Sequence, residues 1–116
     1  LKDYDTEDGT VERDYIHIDD VMEMQYASIK YLMENNESNV FNCATGVSTS
    51  LLGIVKSISR VSGVDININY GPSRENEYIR QVADISKAKK YLDWHPKITS
   101  IDVMCESIYE IERNTC

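Results

Sequence analysis

Glycine and proline are scarce in this chain, at five and two of 116 residues. No glycines fall in the G-x-G-x-x-G spacing that lets a backbone turn wrap a dinucleotide pyrophosphate. The chain is therefore not expected to hold a nicotinamide cofactor by itself. Histidine is limited to His17 and His95. His17, Asp19 and Asp20 stand too close together for three side chains to converge on one ion, and no distant His or Cys cluster completes a metal site. His17 reads as a structural strand residue, and His95, before Pro96, as a turn residue. The three cysteines, Cys43, Cys105 and Cys116, are odd in number and fit no metal spacing. Cys43 and Cys105 lie in apolar patterns and read as buried thiols, which sets the expected compartment as the reducing cytosol. Long apolar runs are missing too. The longest uncharged stretch, residues 38–55, is rich in Asn, Ser, Thr and Gly, so no membrane span is expected. No secretory or transit signal is visible.

The charge that is present is uneven. The net charge is −8, and residues 1–40 carry eleven acids against three bases, while residues 41–116 carry nine of each. An acidic front half disfavours nucleic acid and anionic membranes as partners. Its plainest reading is a solvated acidic face. The basic residues Arg74, Arg80, Lys87, Lys89 and Lys90 gather in the second half, where a small anionic ligand could meet them.

At 116 residues the chain is one domain by length, with a modest core that invites oligomerisation. Short strands alternate with longer helices. Residues 14–18 alternate polar and apolar, as a strand does. Asp19 or Asp20 can then cap a helix in which Met22, Tyr26, Ile29 and Met33 share one face. Residues 40–43 read as a second strand. Ser48 or Thr49 opens a helix with Leu51, Ile54, Val55, Ile58 and Val61 inward, stopped near Gly63. Residues 66–70 read as a third strand, 73–80 as a charged loop, and 81–83 as a short extended piece. Asp84 caps a helix reaching about Leu92. Residues 99–102 form a capping box for a last helix carrying Ile101, Met104, Cys105, Ile108 and Ile111 on one side. The expected class is mixed α/β, with short strands and about four main helices. No run suits the central parallel strand of a complete doubly wound sheet, so the piece reads as an appendage to one.

Arg13 and Arg74 are the first candidates for chemistry. A guanidinium grips two phosphate oxygens at once, so two arginines from distant segments would suit a diphosphate. The alternative is a pair of surface arginines matched to nearby acids such as Asp14 and Glu75. Glu77 is the second candidate, because a carboxylate can accept hydrogen bonds from two vicinal sugar hydroxyls. A solvated loop acid is the alternative there.

Tyr4, Thr6, Asp8-Gly9-Thr10 and Arg13-Asp14-Tyr15-Ile16-His17 resemble the pattern DY-x-T-x-DGT-x-x-RDYIHV of the UDP-hexose 4-epimerases. These enzymes belong to the extended short-chain dehydrogenase/reductase superfamily. Phe41-Asn42 followed by Gly46 is similar to the family's YNLGxG, and Ser73-Arg74-Glu75-Asn76-Glu77 stands in the place of its RREGD loop. Ala83-Asp84, Ser86-Lys87-Ala88 and Leu92-Asp93-Trp94 resemble AD-x-SKA…LGW. The later motifs are shared with related dehydratases and decarboxylases. The resemblance implies that residues 1–116 are the carboxy-terminal, nucleotide-sugar-binding portion of an extended Rossmann-type enzyme. The NAD-binding Rossmann domain would then lie outside this sequence. Such an enzyme interconverts UDP-glucose and UDP-galactose by transient NAD-dependent oxidation at C4, and this portion alone would be inactive.

Carried over by position, the resemblance implies that Arg13 and Arg74 bind the UDP pyrophosphate. Glu77 takes the place of an Asp that bonds the ribose, Tyr15 supports that acid, and Gln81 sits where room for the sugar's C2 substituent is set. Glu77 is one methylene longer than the family's Asp, and Asn76 replaces a Gly. Tyr26 and Lys30 have the superfamily's catalytic Tyr-x-x-x-Lys spacing. With eight Tyr and seven Lys among 116 residues, about half a match of this spacing arises by chance, so one carries little information, and it follows the Arg13 strand, where the family has a plain helix. No catalytic residue is therefore assigned. The implied partners are a UDP-sugar, the rest of the enzyme and a second copy of the chain. The alternatives are a nucleotide-sugar 4,6-dehydratase or glucuronate decarboxylase, or a non-catalytic interaction module.

Overall fold

A computed structural model describes residues 4–115. Residues 1–3 and the third thiol, Cys116, lie outside the described residues. The element order is β1 (Glu12–Asp14), α1 (Ile18–Asn35), β2 (Ser48–Ser50), α2 (Leu51–Ser62), β3 (Arg80–Gln81), α3 (Ser86–Leu92) and α4 (Ile101–Thr115). The mixed α/β class and the four helices are as expected. Strand β1 is central in a three-stranded sheet of order β2-β1-β3, antiparallel to β2 and parallel to β3. Helix α2 packs on α4, and α1 packs on α3.

The strand expected at 14–18 ends at Asp14, because His17 starts the helix instead. His17 Nδ1 accepts the Asp19 amide at 3.1 Å, and its Nε2 lies 3.1 Å from Ser107 Oγ on α4. The cap is therefore the histidine, and neither Asp19 nor Asp20. Asp20, 1 % exposed, turns inward and accepts the Lys97 and Ile98 amides at 3.0 and 2.9 Å. A carboxylate in the first turn of α1 also meets the positive end of the helix dipole.

The expected strands at 40–43 and 66–70 do not form ladders. Around residue 40 the backbone groups bond to side chains: Val40 N donates to Asn39 Oδ1, and Lys87 Nζ donates to Val40 O. The alternating 66–70 segment lies beside α2, with Ile68 and Tyr70 lining a shallow groove with Leu51, Leu52 and Val55. Periodicity marked these segments as extended, but a strand also needs a free edge to pair with.

The expected capping box at 99–102 is replaced by a tie between helices. Asp102 Oδ1 accepts Ser57 Oγ at 2.5 Å and Arg60 Nη2 at 2.6 Å. The Ser57 hydroxyl first, and then Arg60, hold the Asp102 carboxyl below its usual range. Ser57 and Arg60 are one turn apart on α2, so both reach the same acid at the start of α4.

The core cluster joins Met24 of α1, Ala88 of α3 and Trp94, with Ile16, Ala27, Phe41 and Leu92 packed around it. Tyr31 meets the Phe41 ring edge-on at 5.4 Å. The packed stripe of α1 is thus Asp20, Met24, Ala27 and Tyr31. The stripe of large apolar side chains picked out from sequence faces outward: Met22, Tyr26, Ile29 and Met33 are exposed, Met33 by 80 %. On α4, Met104 and Cys105 are buried while Ile108 and Ile111 are exposed. Cys43 is exposed rather than buried, although partial enclosure and then the Asp20 charge raise its pKa. The radius of gyration is 17.0 Å, against about 13 Å for a compact domain of about 100 residues. The extents of 51 × 38 × 19 Å describe a flat slab with apolar side chains on its outer faces. Among the described residues no helix is long and apolar enough to cross a membrane.

Candidate functional site

The site grows out of β1. Arg13 Nη1 donates to its neighbour's carbonyl, Glu12 O, at 2.8 Å, which aims the guanidinium. Its Nη2 reaches Glu77 Oε1 at 2.5 Å. Arg74 Nη1 stands 3.9 Å from the other oxygen, Glu77 Oε2. Two arginines 61 positions apart in sequence therefore face one carboxylate, one on each oxygen. The acids suggested as plain surface partners, Asp14 and Glu75, are not their ion-pair partners among the described residues.

Three features hold the 73–80 loop in this pose. Tyr4 OH accepts the Arg74 amide at 3.0 Å. Asn76 adopts φ 59°, a left-handed conformation in which Gly is free and Asn is among the best tolerated alternatives. Asn76 therefore takes a backbone conformation that a Gly would adopt freely. Finally, Glu12 N donates to Ile79 O at 2.8 Å, and the Arg80 guanidinium pairs with the Glu12 carboxylate. Gln81 sits beside Arg13 in the parallel register, so it flanks the clamp.

Tyr15 does not join it. Among the described residues no hydrogen bond links Tyr15 to Glu77; the ring lines an apolar groove with Ile54, Ile58 and Ile108. The strand ends before Tyr15, so two-residue alternation no longer governs where that side chain goes. Tyr26 is 73 % exposed, and Lys30 pairs with Glu34 at 3.9 Å, one helical turn along.

The acids on β1 and just before it are structural acceptors, which corrects the reading of a simply solvated acidic front. Asp14 Oδ1 accepts Thr45 N at 2.8 Å and Thr45 Oγ1 at 2.6 Å, and its Oδ2 accepts Gly46 N at 2.8 Å. Asp8 accepts Thr10 N, Thr10 Oγ1 and Ser50 Oγ. Partial burial raises the Asp8 carboxyl, but the Ser50 and Thr10 hydrogen bonds and the Lys56 charge outweigh it, so the group titrates below the ordinary value. Sequence reasoning missed Asp14 and Asp20 as organising residues. Their partners lie 31 to 78 positions away, beyond any local signal.

No family profile matches the chain. Known proteins do. A UDP-glucose 4-epimerase of Lactobacillus helveticus is 40 % identical over 100 residues, which is 86 % of this chain and 30 % of that protein. The solved UDP-Glc/GlcNAc 4-epimerase of Campylobacter jejuni is 37 % identical with a TM-score of 0.88, over 97 % of this chain and 34 % of that one. The chain belongs to the UDP-glucose 4-epimerase family. It spans about a third of the length of the relatives it matches, and its fold matches the carboxy-terminal portion of the epimerase structures. The Bifidobacterium longum epimerase, solved in complex with NAD+ and UDP, is 32 % identical with a TM-score of 0.85, over 97 % of this chain and 33 % of that one.

Among the described residues, the strand-to-helix turn does not fit NAD. A dinucleotide pyrophosphate needs free amides at a strand-to-helix turn. At the β2–α2 turn the amides are already used: Leu51 N donates to Val11 O, Leu52 N to Thr10 Oγ1, and Gly53 N to Ser50 Oγ. The Asp8 carboxylate, bonded to Ser50 Oγ, adds a negative charge where a phosphate would have to sit. What the chain does offer an anion is the Arg13–Arg74 pair.

Proposed function

We propose that this chain is the substrate-binding portion of a UDP-glucose/UDP-galactose 4-epimerase. Arg13 and Arg74 take the UDP diphosphate, Glu77 lies beside the ribose, and Gln81 borders the sugar. The observation that supports this most is the convergence of two guanidiniums from distant segments on one anionic group, Glu77. NAD and the catalytic pair belong to residues outside this chain, which alone has no turnover. Its task is to hold the non-reacting nucleotide, so that binding energy far from C4 keeps the sugar in place. The reading sets the chain in the cytosol, where free thiols such as Cys105 stay reduced.

Calorimetric titration with UDP tests the clamp. Arg13→Ala and Arg74→Ala should each weaken UDP binding, Arg13→Ala by about 100-fold, the loss expected when a buried or half-buried charged contact is truncated. Undiminished binding in both variants, with unchanged circular dichroism, would leave an interaction module as the better reading.

The flat shape and the exposed apolar stripes of α1 and α4 support a second part of the proposal. In the whole enzyme these faces are covered by the remainder of the protein, and in the isolated chain they drive self-association. Sedimentation at tens of micromolar should show dimers or larger species. A clean monomer that binds no apolar dye would contradict this.

A further inference from the structure

We infer that Glu77 is an internal competitor for the diphosphate, a carboxylate that any entering ligand must first displace from the two arginines. The inference rests on the clamp reading above and deepens it.

The geometry is that of a bound anion. One Glu77 oxygen is hydrogen-bonded to Arg13 at 2.5 Å and the other is 3.9 Å from Arg74, an ion pair without a hydrogen bond, so the carboxylate stands between the two guanidiniums where an entering anion would. The two halves of the bridge are unequal. The Arg13 and Glu77 side chains are 22 % and 23 % exposed, so their pair is partly sheltered from water. Arg74 is 72 % exposed and held loosely. The bond to be broken on entry is therefore the one to Arg13, while Arg74 remains free to meet the ligand first. With Glu77 in place the trio carries one net positive charge, and with its carboxylate neutralised it carries two. A group tethered three residues from Arg74 acts at high effective concentration, and the affinity seen from solution falls by the fraction of time the clamp is occupied. A weakly charged ligand cannot evict the carboxylate, whereas a diphosphate can, so Glu77 sets a threshold of ligand charge.

Inorganic pyrophosphate is the deciding probe. It has no ribose, so any hydrogen bond from Glu77 to sugar hydroxyls drops out. Calorimetry on the full chain compares the parent with Glu77→Gln, Glu77→Ala and the double variant Glu77→Gln/Arg13→Ala. Both single variants should bind pyrophosphate about tenfold more tightly than the parent, as expected if the carboxylate fills the clamp about nine-tenths of the time. The double variant should lose that gain. Pyrophosphate affinity that is unchanged, weaker or undetectable in both single variants overturns the competitor role. UDP titrations separate the two ideas. If the parent binds UDP and Arg13→Ala does not, while pyrophosphate gains nothing from Glu77→Gln, only the competitor role fails. If Arg13→Ala binds UDP as well as the parent does, the clamp fails with it.

Discussion

Replacing Asp20 with alanine is expected to destabilise the chain by about 3–5 kcal/mol. The side chain is buried and is the acceptor for two consecutive amides, Lys97 N and Ile98 N. Hydrogen bonds to a charged group contribute roughly 1.5–3 kcal/mol each, and an amide left buried without an acceptor carries a penalty of similar size. Domains of this length have only about 5–15 kcal/mol in total, so the loss is a large share. It is also a loss of architecture, because these two bonds tie the start of α1 to the segment leading into α4. Thermal unfolding followed by circular dichroism should show a midpoint lowered by at least about 10 °C, or no cooperative transition at all. Asp19→Ala is the control. Its side chain is 69 % exposed and lies 3.7 Å from His17, so the change should stay within about 0.5 kcal/mol. Equal effects from the two variants would contradict the assignment.

Asp14→Ala is expected to lower stability by about 3–4 kcal/mol. Asp14 accepts the Thr45 amide, the Thr45 hydroxyl and the Gly46 amide at 2.6 to 2.8 Å, with Ala83 N further off at 3.4 Å. Three charge-assisted bonds would each contribute more than 1 kcal/mol if independent, and their shared acceptor makes the sum less than additive. Both oxygens are in use, so Asp14→Asn should recover less than half of the loss: its amide nitrogen would face a second donor. Urea unfolding of the three proteins measures the series. A variant Asp14→Asn as stable as the parent would show that only one of the two oxygens matters.

Asp14 and Arg13 together show how far local sequence carries. The run 8–18 marked Arg13 as a ligand candidate because a guanidinium can grip two phosphate oxygens and because the run resembles the family pattern. Nothing in that run indicated that the next residue would gather a turn 31 positions away. The loop 73–80 was legible as charged, and its Arg74 and Glu77 were legible as candidates. That Glu77 would bridge both arginines depends on Tyr4 and Asn76 setting the loop's path and on β3 pairing beside β1. The family pattern assigns Tyr15 to the site by position, and the strand ends one residue before it, so its side chain goes elsewhere.

The helices carry the same lesson. Periodicity located three of the four within a few residues, and a cap at Asp84 the other, because burying one face of a helix imposes a 3.6-residue repeat whatever the partner is. On α1 two stripes share that repeat. The larger and more apolar one, Met22, Tyr26, Ile29 and Met33, is exposed, while the smaller one with Asp20 and Ala27 is packed. A repeat records that a face is to be covered, and it does not say by which neighbour. Helix positions, the α/β class and the family signature were therefore determined by the sequence alone, since each rests on local periodicity or on residues contiguous in the chain. The clamp, the direction each helix faces and the structural duties of Asp14 and Asp20 were decided only by tertiary structure, because each depends on bonds between segments that only folding brings together.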